Sequence, residues 1–110
     1  MTTVVIRKDQ QGSYRGFYCM GHAGYASKGK PDVLCAAISA LTIGTINSLE
    51  ALAGEKLVTA ADETTGFIRC DFEDILQEKS SFLVDSMIFS LENLSREYGE
   101  KYLQVKFEEV

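Results

Sequence analysis

The sequence predicts a single α+β domain over residues 1–110, with elements in the order ββαββαβ and an antiparallel sheet packed against two helices. Three observations predict it. Short runs rich in β-branched or alternating apolar residues are set off by turn residues. Two longer stretches carry apolar side chains at three- and four-residue steps. The strand runs come in hairpin pairs with a helix after each pair, an order that suits antiparallel pairing better than a parallel βαβ repeat.

Residues 3–8, TVVIRK, read as a strand on their β-branched content, DQQGS at 9–13 as a turn, and YRGFYCM at 14–20 as the returning strand. Residues 21–32 form a loop that holds Gly21, Gly24 and Gly29. Pro31 resists a helix upstream of it and Asp32 is a good N-cap, so a long helix starts at Asp32 or Val33. Leu34, Ile38, Leu41, Thr45, Leu49 and Leu52 form its stripe, and Gly54 stands where it should stop. Its first half is apolar or small all round, which predicts deep burial. LVTAAD at 57–62 and GFIRCDF at 66–72 read as two strands around a short turn, and EDILQEKS fits either loop or early helix. Leu83, Met87, Leu91, Leu94 and Tyr98 mark a second helix over 81–98 that Gly99 ends. In YLQVKFE at 102–108, Leu103, Val105 and Phe107 alternate onto one face of a last strand.

Composition narrows the functional classes. The net charge is −5 and no Lys/Arg run exceeds a pair, which argues against direct nucleic-acid binding and suits a basic protein partner. The opening MTTVVIRKDQQG is too weakly apolar for a secretory signal, no later segment reads as an uninterrupted membrane span, and the expected address is the cytoplasm. Cys19, Cys35 and Cys70 are odd in number and widely spaced. They fit neither a disulfide framework nor a Cys-x-x-Cys metal site, so no metal or cofactor is expected. Cys19 and Cys70 fall within strand runs and read as structural.

Cys35 falls in the first turn of the long helix, where unpaired N–H groups and the positive end of the dipole favour a thiolate. The N–H groups of Cys35 and Ala36 are candidates for an oxyanion cradle. His22, the sole histidine, ends the second strand, and a strand end beside a helix start can bring a base to a nucleophile. Asp32 either orients the imidazole or caps the helix. Ser39 follows Cys35 by one turn and can offer a hydroxyl. The glycines of the intervening loop suit a lid over bound substrate. A plainer reading treats Cys35 as a packed thiol and His22 as a surface residue, on a non-catalytic binding protein.

GHAGYA at 21–26, followed by D-x-x-C-A-A-x-S-A-L from Asp32, resembles the ribosomal-processing cysteine protease family Prp, and the resemblance extends over the whole chain. It implies a cytoplasmic, homodimeric endopeptidase. Such an enzyme removes the N-terminal extension of a basic large-subunit ribosomal protein. It further implies His22 and Cys35 as catalytic, Asp32 and Ser39 as supporting, and a substrate loop that includes Gly21, Ala23, Gly24, Tyr25 and Gly29. Two departures stand out: Val33–Leu34 replaces the family's usual Ile–Val before the cysteine, and the loop containing Lys30–Pro31 is about one residue longer than the pattern, a change that loops tolerate.

Overall fold

The computed structural model describes residues 1–26 and 32–110. The elements are β1 (Thr2–Lys8), β2 (Tyr14–Met20), α1 (Val33–Ala51), β3 (Leu57–Asp62), β4 (Phe67–Phe72), α2 (Glu78–Tyr98) and β5 (Leu103–Glu109). The order is the expected ββαββαβ, in one five-stranded sheet ordered β3-β4-β2-β1-β5. Three pairings are antiparallel. The fourth corrects the all-antiparallel expectation: β5 returns from α2 and lies parallel to β1, with Val4 opposite Val105 and Ile6 opposite Phe107. An apolar strand at the end of the chain carries no mark of the direction in which it will pair.

Val4 and Ile6 of β1, Phe17 and Cys19 of β2, Cys70 and Phe72 of β4, and Leu103 of β5 point to one side of the sheet, as strand alternation requires. There they meet Leu34, Ile38 and Leu49 of α1 and Val84, Met87, Ile88 and Leu91 of α2 in one core. Both helices therefore cover the same face, and each fully buried aliphatic side chain contributes about 1.5–3 kcal/mol. The other face carries an ion network: Asp71 accepts from Arg7 at 2.9 Å and from Arg69 at 2.8 Å. These partly exposed pairs contribute under about 1 kcal/mol each.

α2 begins at Glu78, three residues before the expected start; the N–H groups of Ser80 and Ser81 close its first turn on the Gln77 carbonyl. The expected deep burial of α1 is also corrected. Only Leu34, Ile38, Thr42 and Leu49 are buried, while Val33, Ile43 and Leu52 are exposed. Contrary to the expectation that no later segment reads as a membrane span, α1 is long and apolar enough to cross a bilayer. Its buried stripe instead docks on the sheet and on α2, as a core helix does.

The pairing of β2 with β4 positions two distant parts of the chain. Because Cys19 pairs with Ile68, the residues just beyond the end of β2 lie beside those just before β4. Gly21 and His22 are therefore brought against the β3–β4 turn, although His22 and Thr64 stand 42 positions apart in the sequence.

Candidate active site

Cys35 occupies the first turn of α1. Asp32 caps that turn: its Oδ1 accepts the Cys35 N–H at 3.0 Å, and its Oδ2 accepts the Tyr25 N–H at 3.0 Å. Desolvation alone would push the Asp32 carboxyl up. The amide donors, those of Cys35 and Tyr25 foremost, overcome this and hold it below the usual carboxylate range. The cap fixes the start of α1 and with it the height of the Cys35 side chain above the sheet.

His22 reaches Cys35 from the end of β2. Its Nδ1 lies 4.0 Å from Cys35 Sγ, and its Nε2 lies 3.3 Å from the Thr64 carbonyl oxygen. A carbonyl only accepts, so the tautomer that serves this contact is the one with the proton on Nε2. That leaves Nδ1 of the neutral ring unprotonated and facing the sulfur, as a base for the Cys35 thiol must.

The pair lies in the wall of a cleft of about 570 Å³ between α1 and the β3–β4 hairpin. Ser39, Ile43 and Ile46 form the α1 wall, and Thr59, Ala61 and Ile68 belong to the opposite one. The cleft is mainly apolar, with the sulfur and the imidazole in its lining. Among the described residues, no group of three or more His, Cys, Asp or Glu is placed to hold a metal ion.

Of the residues expected at the site, His22, Cys35, Ser39 and Gly21 line this cleft. Asp32 is the cap and not the partner of the imidazole. The expected oxyanion cradle is corrected: the Cys35 N–H is taken by Asp32 Oδ1 and the Ala36 N–H by the Asp32 carbonyl, each at 3.0 Å. The cap that makes the helix start stable occupies the donors that spacing alone left free. Of the expected substrate loop, Ala23 and Tyr25 do not line this cleft. Ala23 is buried in the core, and Tyr25 stands edge-on to Tyr98 and Tyr102 at 5.0 and 5.2 Å, so both tie the loop down. Gly24 is exposed and outside the cleft wall, and Gly29 lies outside the described residues.

The sequence reading missed Thr64 and Gly66. Thr64 acts through its main chain, which no residue type reveals. Gly66 did carry a signal, a glycine closing a polar turn. A Cβ there would sit 2.5 Å from the Gly21 carbonyl oxygen and 3.1 Å from His22 Cε1.

A family model described as cysteine protease Prp matches residues 1–104. The chain is 30% identical over 104 residues to the ribosomal processing cysteine protease Prp of Bacillus subtilis, covering 91% of this chain and 92% of that protein. It is 27% identical over 100 residues to the protein of the same name from Staphylococcus aureus, covering 91% and 93%. A crystal structure of the Staphylococcus aureus protease with a covalently linked product peptide superposes with a TM-score of 0.89 at 24% identity, covering 98% of this chain and 100% of that one. A second, with a substrate peptide, gives 0.85 at 23% identity, with 98% and 100% covered. The two structures establish that the fold is the same.

The three thiols differ in setting. Burial pushes Cys19 up to about 11, with the charge of Cys35 adding to it, and burial pushes Cys70 up to about 12. Cys35 alone is partly exposed. Iodoacetamide at neutral pH is therefore expected to label Cys35 and leave Cys19 and Cys70 unmodified in the folded protein, as read by peptide mass mapping. Equal labelling of all three would contradict these settings.

Proposed function

The chain belongs to the cysteine protease Prp family, and on that premise we propose that it removes the N-terminal extension of a basic large-subunit ribosomal protein by Cys35–His22 covalent catalysis in the cytoplasm. The observation that carries the reading is the Cys35 sulfur 4.0 Å from His22 Nδ1 in the lining of an apolar cleft. That separation is long for proton transfer, and such pairs commonly tighten when substrate binds.

His22 Nδ1 takes the Cys35 proton. The thiolate attacks the scissile carbonyl carbon, a C–S bond forms, and the carbonyl π pair moves to oxygen. The positive end of α1 faces that oxyanion, and the Ser39 hydroxyl, one turn along the same wall, offers it a donor. As the tetrahedral species collapses, the C–N bond breaks and the imidazolium gives its proton to the leaving amine. Water, deprotonated by His22, then attacks the thioester carbon; as that tetrahedral species collapses the C–S bond breaks, the acid leaves and the imidazolium returns its proton to sulfur.

The apolar cleft suits the hydrophobic part of an extended segment, and a net charge of −5 suits a basic body beyond it. The exposed Val33 at the start of α1, Leu52 just past its end and Val58 of the edge strand β3 support a homodimer. Sedimentation equilibrium is expected to give twice the 12.2 kDa chain mass, and a monomer at micromolar concentration would refute the dimer. With a peptide spanning the extension and its junction, Cys35→Ala is expected to abolish cleavage and His22→Ala to lower kcat at least about a hundredfold. Undiminished cleavage by Cys35→Ala, followed by chromatography, would end the proposal.

A further inference from the structure

In nucleophile–base sites a third group commonly orients the base, and the acidic residue nearest in sequence, Asp32, is committed elsewhere. From the contacts around the imidazole, we infer that the β3–β4 turn is the positioning element of this site: the Thr64 main-chain carbonyl holds His22 Nε2, and Asp62 and Gly66 hold Thr64 and His22 in register. The inference rests on the protease reading and adds what that reading requires of a turn outside the motif.

The turn is built from the inside. Asp62, the last residue of β3, accepts from the Thr64 N–H at 3.0 Å and also from the Thr64 hydroxyl, through the same Oδ1. The two bonds fix Thr64 about its own main chain and so fix the direction of its carbonyl. The Asp62 carboxylate is held below the usual range by these donors, the Thr64 hydroxyl first. The Gly66 N–H closes the turn on the Glu63 carbonyl. Gly66 itself has φ +68°, a left-handed conformation that costs other residues energy, and its missing side chain lets the turn press against Gly21 and His22. On the far side, the Gly21 carbonyl accepts from the Thr2 hydroxyl at 3.2 Å. Gly21 has φ +84°, and a Cβ there would lie 2.5 Å from the Met1 carbonyl oxygen. His22 is thus set between a strand end that cannot shift toward β1 and a turn that cannot shift toward β2.

A main-chain carbonyl does for this imidazole what a carboxylate or amide side chain does in other nucleophile–base sites: it selects the ring tautomer and orientation. It adds no charge, so the imidazolium formed on proton transfer is stabilised by the carbonyl dipole and the thiolate. The same hairpin supplies a wall of the substrate cleft, with Asp62, Glu63 and Gly66 among its lining residues. A peptide pressing on that wall therefore acts on the group that aims the base.

His22 is the only histidine, so a long-range proton–nitrogen NMR spectrum shows one imidazole. The spectrum is recorded on Cys35→Ala protein, and then with Asp62→Ala, Asp62→Asn or Gly66→Ala added. The parent is expected to show Nε2 protonated and Nδ1 bare. Asp62→Ala and Gly66→Ala are expected to move both nitrogen signals toward a mixture of tautomers, and Asp62→Asn, whose amide oxygen still accepts from Thr64, to leave them in place. In the protein with Cys35 intact, kcat on the extension peptide is expected to fall about a hundredfold for Gly66→Ala and about tenfold for Asp62→Ala, and to stay within about twofold for Asp62→Asn. Circular dichroism melting confirms that each variant is folded. Unmoved His22 signals in both Asp62→Ala and Gly66→Ala overturn the inference whatever the rates. Continued cleavage by Cys35→Ala instead overturns the protease reading and leaves the NMR result to decide the positioning separately.

Discussion

One carboxylate joins the two halves of the site. Asp32 accepts from the amide of Cys35, at the head of α1, and from the amide of Tyr25, in the loop that follows His22. Losing an N-cap of this kind costs a helix about 1 kcal/mol. Here it would also release the loop from the helix. His22 and Cys35 sit on separate elements, just beyond β2 and on α1, and the 13 positions that separate them in the chain do not set their distance. The cap sets it at one end. Leu34, wholly buried beside Cys35, sets it at the other by seating the first turn of α1 on the sheet.

The same economy explains why Cys35 and the core can lie side by side. α1 turns Leu34 and Ile38 into the core while Cys35 and Ser39, one position on in each turn, face the cleft. A helix that was buried all round would have no room for substrate. A helix that was polar on its outer side would not line an apolar cleft. The apolar, part-exposed α1 observed here serves both needs.

Much of this was legible in the residues. The strand and helix boundaries came from periodicity and turn chemistry, and β1, β2, α1, β3 and β4 fall within a residue or so of where Val4–Ile6, Pro31–Asp32 and Gly66 placed them. His22 and Cys35 were legible because their side-chain types and settings have chemical meaning, and because the flanking motif is long. Three things were not. The direction of β5 depends on how α2 carries the chain back, which Leu103, Val105 and Phe107 do not encode. The fate of the Cys35 N–H depends on the rotamer of Asp32, whose side chain takes it, whereas the Ala36 N–H makes the first main-chain bond of the helix to the Asp32 carbonyl. The partner of the imidazole is a carbonyl of Thr64, a group every residue possesses, brought near by the pairing of Cys19 with Ile68 across the sheet. Side-chain identity reports side-chain chemistry; what the main chain contributes becomes visible only once the register is known.

The central claim is that Cys35 and His22 act as one unit on a peptide carbonyl, with the imidazole held from behind by Thr64. A crystal structure of the protein treated with a peptide aldehyde of the extension sequence tests it most directly, because the aldehyde carbon takes the place of the scissile carbonyl. The account predicts a covalent bond from Cys35 Sγ to that carbon, the new oxygen at the head of α1, His22 Nδ1 in hydrogen-bonding reach and Nε2 still on the Thr64 carbonyl. An adduct on Cys19 or Cys70, or one on Cys35 with the imidazole swung away from both sulfur and turn, would contradict it.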